Sequence, residues 1–207
     1  MEIASSIAVG EVESLWRYPV KSMRGEELQE AFLGFAGVFG DRLYAFHDSA
    51  ARKGFPYLTA REQEEMLQYR PVYRCPEQMR KPENLANAEA LGPGVTPVYP
   101  GDADRALDVE TPAGTRLAID DPTLLTMLSE GLRDGHRLTL RKSERAMTDC
   151  RPVSLFSIQT ARRLSQEVGS DLDKRRFRAN VYLDLQSAPG FSEDRLVGRT
   201  LRSAREQ

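Results

Sequence analysis

Short apolar segments separated by glycine dominate the first 48 residues of this 207-residue chain. Three segments are rich in Val, Leu, Phe and Tyr and partly alternate with polar residues: Val9–Tyr18, Glu27–Leu33 and Asp41–Asp48. Glycines lie in or near them at positions 10, 25, 34, 37 and 40. Alternation of apolar and polar residues indicates strands, and glycine favours the turns between them. The pattern therefore predicts a small β-barrel or sandwich.

Further strands and a few helices are expected along the rest of the chain. Thr59 and Glu62 have the spacing of a capping box, and Asp121 and Ser157 each precede a segment with helical periodicity. Prolines and glycines without periodicity indicate a long irregular connection from Cys75 to Gly101. Strands are predicted at Tyr57–Arg61, Ala106–Glu110, Thr115–Ile119, Arg137–Lys142, Val153–Phe156, Val181–Leu185 and Leu196–Leu201.

These elements predict a mostly β fold with peripheral helices, of the α+β class. We expect two mostly β domains, the first at residues 1–105 and the second at residues 106–207. A predicted hairpin that turns at Pro112–Gly114 lies close to this boundary.

Charge and composition exclude several classes of protein. The formal net charge of −2 argues against a general nucleic-acid binder, which usually has a strong basic excess. No run approaches the roughly 18 apolar residues of a membrane span, and the N-terminal residues do not have the pattern of a signal peptide. Two cysteines, Cys75 and Cys150, are too few for a disulfide scaffold, and His47 and His136 cannot form a multi-histidine metal site. We therefore expect a cytoplasmic protein with reduced thiols.

The charge is unevenly distributed along the chain. Residues 137–207 have a net charge of +6, whereas the remaining residues have a net charge of −8. A local excess of cations suggests a site for an anion such as phosphate. A solvated surface of mixed charge is the alternative interpretation.

Two polar clusters lie in the first third of the chain. In the first, Tyr-Pro-Val-Lys-Ser, Lys21 and Ser22 offer an ammonium and a hydroxyl group to an anion where a strand ends. The second is a Gly-Asp-Arg sequence followed by Leu-Thr-Ala-Arg. Its Arg42 can bind a phosphate through two parallel hydrogen bonds, or pair with Asp41 or Asp48. Taken singly, each cluster also fits a surface turn or the start of a helix.

The third cluster consists of two segments in the last third of the chain. Thr148–Leu155 leads into a buried strand, and Arg175–Asn180 leads into the next one. Because alternate residues of an extended chain share a face, we expect Arg178 and Asn180 to face one ligand. The cations at positions 174–176 could instead stabilise a helix C-terminus.

Taken together, the clusters resemble proteins of the MOSC family, relatives of the C-terminal domain of molybdenum-cofactor sulfurase and of the mitochondrial amidoxime-reducing component. Six short motifs occur in the order typical of the family, over nearly the whole chain: Pro19–Ser22, Gly37–Arg42, Leu58–Arg61, Thr148–Ser157, Arg175–Asn180 and Phe191–Asp194. The resemblance implies a MOSC N-terminal β-barrel domain at residues 1–105 and a partial MOSC β-barrel at residues 106–207.

The resemblance also implies a ligand, the molybdenum cofactor (molybdopterin), a pterin dithiolene that ends in a phosphate. The implied activity is that of an oxidoreductase for N-hydroxylated or N-oxide substrates, provided that the C-terminal cysteine missing from this sequence is supplied, or that of a sulfur carrier. An oxidoreductase of this kind would receive electrons from an electron-transfer partner. No catalytic residue is assigned. By this resemblance, the cofactor-binding residues are Lys21, Ser22, Arg42, Arg151, Arg178 and Asn180.

The sequence departs from the family in three ways. It has Ala179 where the family commonly has Pro, and it has Cys150 and Arg151 where the family often has Thr or Ser. It also stops at Gln207, before an Arg-Cys pair whose cysteine ligates molybdenum in family members. Cys150, beside Arg151, is a remote alternative ligand. A barrel that ends this early is expected to have an unpaired edge, and to associate through it or to be less stable.

Two further functions stay open from the sequence alone. One is a catalytically incompetent module that binds a pterin or a phosphate. The other is binding of a different phosphate compound, such as pyridoxal phosphate. No lysine, however, lies in a sequence context that favours formation of a Schiff base. In each case the expected partner is a small molecule, and neither nucleic acid nor a membrane is expected.

Overall fold

A computed structural model describes residues 7–34, 36–85, 101–133 and 135–202. Contacts within the structure divide the chain into two compact units. The larger unit consists of Trp16–Val153, and the smaller unit combines the residues up to Leu15 with those from Ser154 onward. The predicted domain boundary after residue 105 falls inside the larger unit, and the division into two domains stays a prediction.

The described part of the chain is mostly strands with two α-helices, which confirms the predicted fold class. The strands are β1 (Glu11–Arg17), β2 (Glu26–Leu28), β3 (Leu33–Gly34), β4 (Gly37–Val38), β5 (Tyr44–Asp48), β6 (Arg70–Tyr73), β7 (Leu107–Glu110), β8 (Arg116–Ala118), β9 (Leu138–Lys142), β10 (Leu155–Ser157) and β11 (Val181–Asp184). The helices are α1 (Pro122–Ser129) and α2 (Ile158–Val168), with shorter 3-10 helices at Glu64–Gln68, Pro76–Met79, Lys174–Phe177 and Ser192–Leu196.

Antiparallel pairing organises the larger unit. β5 pairs with β9, and β6, β7 and β8 form a second sheet in that order. Alternate residues of β7 face the core, so that Val109 is fully buried, whereas β5 is buried along most of its length and includes the fully buried Phe46. The core also takes in residues from the loops and from α1, including Val20, Met23, Phe39, Leu43, Leu58, Met66, Met79, Leu124 and Leu128.

Helix α1 begins where the sequence predicts. The side chain of Asp121 accepts a hydrogen bond from the backbone N–H of Thr123 at 2.8 Å, and Pro122 takes the first turn, where its missing N–H costs nothing. Leu124 and Leu128 lie one turn apart and are fully buried. The capping and periodicity signals are therefore both confirmed.

The smaller unit is built around β11. This strand runs parallel to β10 and antiparallel to the part of β1 that belongs to the same unit. Helix α2 follows β10 directly, because Ser157 ends the strand and its hydroxyl accepts a hydrogen bond from the backbone N–H of Thr160 at 3.1 Å. Gly169, with φ of 67°, ends the helix in the left-handed conformation.

A carboxylate secures the start of α2. Glu193 accepts hydrogen bonds from the backbone N–H of Ser157 at 3.1 Å, from its hydroxyl at 2.8 Å and from the hydroxyl of Thr160 at 2.8 Å. Burial is the largest single influence on Glu193 and opposes its ionisation, but the hydrogen bonds together outweigh it and lower the pKa of this carboxyl group. The Phe-Ser-Glu-Asp motif thus has a structural role in this chain.

The predicted strand at Leu196–Leu201 is wrong. The chain leaves the 3-10 helix Ser192–Leu196, and Gly198 then bends it with φ of 76°. Val197 is 81% exposed. An apolar run forms a strand only where a neighbouring strand takes its hydrogen bonds, and among the described residues none does so here.

Two predictions around residues 57–80 are partly wrong. Tyr57–Arg61 forms a single bridge between Tyr57 and His47 rather than a strand. The helical turn after Thr59 is a 3-10 helix that begins at Glu64; it buries Met66 and leaves Leu67 exposed. The irregular connection contains a short 3-10 helix, and its residues 86–100 lie outside the described part of the chain.

Strand β6 was not predicted. Its sequence, Arg-Pro-Val-Tyr, contains a proline, which usually argues against a strand because it cannot donate a backbone hydrogen bond. All four residues of β6 nevertheless pair with β7, and this pairing holds the segment as a strand despite its proline. Within the described residues, no helix is long and apolar enough to cross a membrane.

Replacement of Glu193 by Gln should change both the stability of the chain and its dependence on pH. One accepting oxygen becomes an NH₂ group facing donors, so the free energy of unfolding at pH 7 should fall by about 1–3 kcal/mol. Because the pKa of Glu193 is lowered on folding, its contribution is present above about pH 4.3 and lost as the pH falls further. Urea unfolding between pH 5 and pH 3 should therefore show a flatter loss of stability in Glu193→Gln than in the wild type.

Asp194→Asn is the matched control, because Asp194 is an exposed neighbour in the same motif. It should leave the stability at pH 7 nearly unchanged. Equal pH profiles for Glu193→Gln and the wild type would contradict the role assigned to Glu193.

Candidate functional site

A short backbone ladder joins two of the predicted motifs within the larger unit. The backbone N–H of Arg42 donates to the carbonyl of Tyr18 at 2.7 Å. The backbone N–H of Lys21 donates to the carbonyl of Tyr44 at 2.9 Å. The fully buried carboxylate of Asp41 accepts a further hydrogen bond from the backbone N–H of Tyr18, also at 2.7 Å. These bonds fix the backbone on both sides of Lys21.

The Lys21 side chain extends from this ladder to a third motif. Its Nζ donates to Oδ1 of Asp149 at 2.6 Å and to the carbonyl of Met147 at 3.2 Å. The backbone N–H of Met147 donates in turn to the carbonyl of Arg42 at 3.0 Å. The Lys21 side chain is only 8% exposed, whereas that of Asp149 is 59% exposed. The ammonium is thus buried, but its carboxylate partner remains accessible to solvent.

Lys21 and Asp149 line a cleft of about 540 Å³ in the larger unit. The wall has residues that can donate hydrogen bonds to an anion and aromatic residues that can contact a planar ring. The Lys21 ammonium lies 5.9 Å from the centre of the Tyr57 ring. Apart from Lys21, the donor and aromatic residues of the cleft are Arg52, Phe55, Tyr57, Thr59, Arg61 and Thr148.

Local hydrogen bonds position the Leu-Thr-Ala-Arg motif on the cleft. The backbone N–H of Leu58 donates to the carbonyl of Phe46 at 2.8 Å, which ties the motif to β5. The Glu62 carboxylate accepts hydrogen bonds from the hydroxyl of Thr59 at 2.6 Å and from its backbone N–H at 3.1 Å. In a capping box, the Glu side chain accepts a hydrogen bond from the backbone N–H of the residue three positions earlier, and Glu62 does so from Thr59.

The charges of the cleft are nearly balanced. Its charged residues are the cations Lys21, Arg52 and Arg61 and the carboxylates Asp48, Glu62 and Asp149. Arg52 and Arg61 are exposed, and neither forms an ion pair with another residue of the described part of the chain. Two guanidinium groups in the wall are therefore available to an anion.

A histidine and a buried carboxylate complete the wall. Nδ1 of His136 lies 2.7 Å from Oδ2 of Asp48. The Asp48 side chain is 2% exposed, and that of His136 is 19% exposed. Oδ1 of Asp48 accepts a second hydrogen bond, from the backbone N–H of Ala50 at 2.9 Å. The carboxylate thus holds the imidazole ring in a fixed position on the cleft.

Three of the predicted cofactor-binding residues lie elsewhere in the larger unit. Arg42 donates to the Asp41 carboxylate, and its guanidinium lies 4.8 Å from the centre of the Tyr18 ring. Ser22 is partly buried, with φ of 64°, and Arg151 is exposed. None of these three is among the described residues that line the cleft. Their roles as cofactor ligands stay predictions.

The other two predicted ligands, Arg178 and Asn180, belong to the smaller unit. The extended backbone that we expected between them is wrong, because Arg178 ends a 3-10 helix in the left-handed conformation with φ of 54°. Asn180 is 1% exposed, and its Oδ1 accepts hydrogen bonds from the backbone N–H and the hydroxyl of Ser154, each at 3.2 Å. Whether both residues contact one ligand stays a prediction.

Much of the basic cluster before Arg178 is paired with carboxylates. Lys174 forms an ion pair with Glu13, and Arg175 forms one with Asp173. Hydrogen bonding by Arg175 is the largest influence on Asp173 and, against the cost of burial, lowers its pKa to about 2. Two of the three cations at positions 174–176 are thus held in ion pairs with carboxylates.

The described residues contain no group of three or more His, Cys, Asp or Glu side chains that could hold a metal ion. Cys150 is exposed and Cys75 is partly buried. The remote assignment of Cys150 as a metal ligand stays a prediction.

The sequence analysis missed His136, Asp48 and Arg52 as residues of the site. Asp48 and His136 are 88 positions apart, and no local pattern connects them. A weak signal did exist in the fold prediction, because Asp48 ends one predicted strand and His136 directly precedes another. Only the pairing of β5 with β9 brings these ends together.

Residues 9–92 match the sequence model of the MOSC N-terminal beta barrel domain. The matched range includes the motifs that contain Lys21, Arg42 and Arg61. A comparison with curated proteins finds no match. This match supports membership of the chain in the MOSC family.

Proposed function

We propose that this chain binds the molybdenum cofactor and that the cleft of the larger unit takes the phosphate-bearing end of its pterin. The MOSC family is linked to binding of this cofactor. The observation that carries the proposal is the presence of Lys21, Arg52 and Arg61 on one cleft. A phosphate is bound by such converging cations, supported by hydroxyl donors.

The donor set of the cleft fits two parts of the cofactor. Cations and hydroxyl groups suit the phosphate, and the rings of Phe55 and Tyr57 suit contact with a planar pterin. The lining residues within the described part of the chain include no thiolate, the ligand that a soft metal centre prefers. The proposal is therefore limited to binding, and no step at the metal is derived from it.

Lys21 has the central role in this proposal. Its ammonium is buried, and its carboxylate partner Asp149 is largely exposed. A phosphate that enters the cleft competes with Asp149 for the ammonium, and the Asp149 side chain, which is 59% exposed, can turn to solvent when the phosphate takes its place. Arg42 acts through Asp41 and the backbone ladder, so it positions Lys21 and does not itself need to reach the ligand.

The resemblance also suggests two activities for a chain that holds the cofactor. Bound cofactor would supply the redox chemistry of an oxidoreductase for N-hydroxylated substrates, fed by an electron-transfer partner, or the chemistry of a sulfur carrier. The second candidate is a module that binds a pterin or a phosphate without turnover, and the thiolate-free wall described above favours it. Binding of another phosphate compound, such as pyridoxal phosphate, is the third outcome that the experiments below distinguish.

Lys21→Ala should lower the retention of cofactor. The variant removes a charged hydrogen bond to phosphate, which should reduce the retained pterin by about tenfold or more. The protein is purified from a host that makes the cofactor and is then oxidised. Pterin fluorescence and elemental molybdenum are measured on the same sample.

Lys53→Ala is the matched control, because Lys53 is exposed and lies beside the cleft residue Arg52 without lining the cleft. It should retain as much pterin as the wild type. Pterin with little molybdenum in the wild type would favour the module without turnover, and neither pterin nor molybdenum would favour another phosphate compound. Equal retention by Lys21→Ala and Lys53→Ala would contradict the proposed site.

Arg178→Ala tests the predicted role of Arg178 as a cofactor ligand. Loss of a charged hydrogen bond should weaken cofactor retention by about 1–3 kcal/mol. Arg176→Ala serves as the control, since Arg176 is an exposed neighbour in the same basic cluster. Retention that is unchanged in Arg178→Ala would remove this residue from the site and would leave the cleft as the proposed site.

A further inference from the structure

The pairing of β5 with β9 holds a histidine on the wall of the cleft. His136 lies just before β9, and Asp48 is the last residue of β5. The hydroxyl of Ser49 accepts a hydrogen bond from the backbone N–H of Arg137 at 3.0 Å, and the backbone N–H of Ser49 donates to the carbonyl of Arg137 at 3.1 Å. These bonds fix the backbone on one side of the imidazole ring.

The contact with Asp48 engages one ring nitrogen of His136 and leaves the other available for a ligand. An ionised carboxylate can only accept hydrogen bonds, so Nδ1 of His136 must carry the hydrogen that lies between them. Nε2 has no hydrogen-bond partner among the described residues, and His136 lines the cleft. Nε2 is therefore the nitrogen available to a bound molecule. It accepts a hydrogen bond when the ring is neutral and donates one when the ring is protonated.

The charge balance of the cleft makes this proton important. Asp48 is in direct contact with His136, and the other charged residues that line the same cleft are Lys21, Arg52, Arg61, Glu62 and Asp149. Three cations and three carboxylates leave the cleft neutral while His136 is neutral. One proton on His136 gives the cleft a net charge of +1 and a donor aimed at an anion.

We propose that His136 is a proton-dependent contact for a dianionic, phosphate-type group in this cleft, with Asp48 as its positioning residue. The inference rests on the proposed function and adds a regulation to it: the cleft binds its anion more tightly when His136 is protonated. Because histidine is the side chain that changes charge near neutral pH, the affinity is compared at about pH 5.5 and pH 8. The sign follows from charge, since protonation adds attraction for a dianion and deprotonation removes it.

Sulfate is the probe that tests this proposal, because its charge stays constant over that pH range whereas that of phosphate does not. Calorimetric titration of the wild-type chain should show sulfate affinity at least about fivefold higher at pH 5.5 than at pH 8, with uptake of a proton on binding. His136→Gln should show much less dependence on pH. His47→Gln is the matched control, because His47 is the only other histidine and does not line the cleft, and it should behave as the wild type does.

Nuclear magnetic resonance gives an independent readout, since the chain has only two histidines and their signals are assigned with the same two variants. Saturating sulfate should raise the titration midpoint of the His136 signal and leave that of His47 unchanged. Asp48→Asn should reduce the shift that sulfate causes in the His136 signal, because the carboxylate that holds the ring on the cleft is gone. A sulfate-dependent shift that is unchanged in Asp48→Asn would contradict the positioning role of Asp48.

The outcomes separate this inference from the function on which it rests. Sulfate that binds the wild type with equal affinity at both pH values would overturn the role of His136 and leave the anion site standing. An unchanged pH dependence in His136→Gln would have the same meaning. Absence of sulfate binding at either pH would overturn both the anion site and the role of His136.

Discussion

The backbone ladder between residues 18–21 and 42–44 is the constraint on which the candidate site depends. Its hydrogen bonds run from Arg42 to Tyr18 and from Lys21 to Tyr44, and the buried Asp41 carboxylate fixes its start. Buried backbone groups need such partners, so the ladder has little freedom to shift. The same segment holds Met147, whose carbonyl accepts from the Lys21 ammonium. The position of that ammonium therefore follows from backbone geometry.

This constraint explains why separate short motifs occur together in one chain. The Gly-Asp-Arg motif supplies the partners of the ladder, the Tyr-Pro-Val-Lys-Ser motif supplies the ammonium, and the Thr-Asp motif supplies its carboxylate partner Asp149. The Leu-Thr-Ala-Arg motif is tied to β5 and brings Arg61 to the same cleft. Arg42, whose role as a phosphate ligand stays a prediction, donates to the Asp41 carboxylate at the start of the ladder.

Sequence patterns predicted the locally encoded parts of the fold and missed the parts that depend on distant contacts. The caps at Asp121 and Ser157 and the apolar spacing of α1 are local signals, and the structure confirms them. Leu196–Leu201 has the composition of a strand but no partner among the described residues. The contact of Asp48 with His136 depends on the β5–β9 pairing, which a single sequence does not reveal. Lys21 was predicted as a binding residue, but its exchangeable partner Asp149 was not.

The central claim is that a phosphate takes the place of Asp149 at the Lys21 ammonium. The most direct test is a crystal structure of the protein purified from cells that make the molybdenum cofactor. The account predicts phosphate density within hydrogen-bond distance of Lys21 Nζ, with the Asp149 carboxylate turned to solvent. Bound pterin at another place, with the 2.6 Å contact between Lys21 and Asp149 intact, would contradict it.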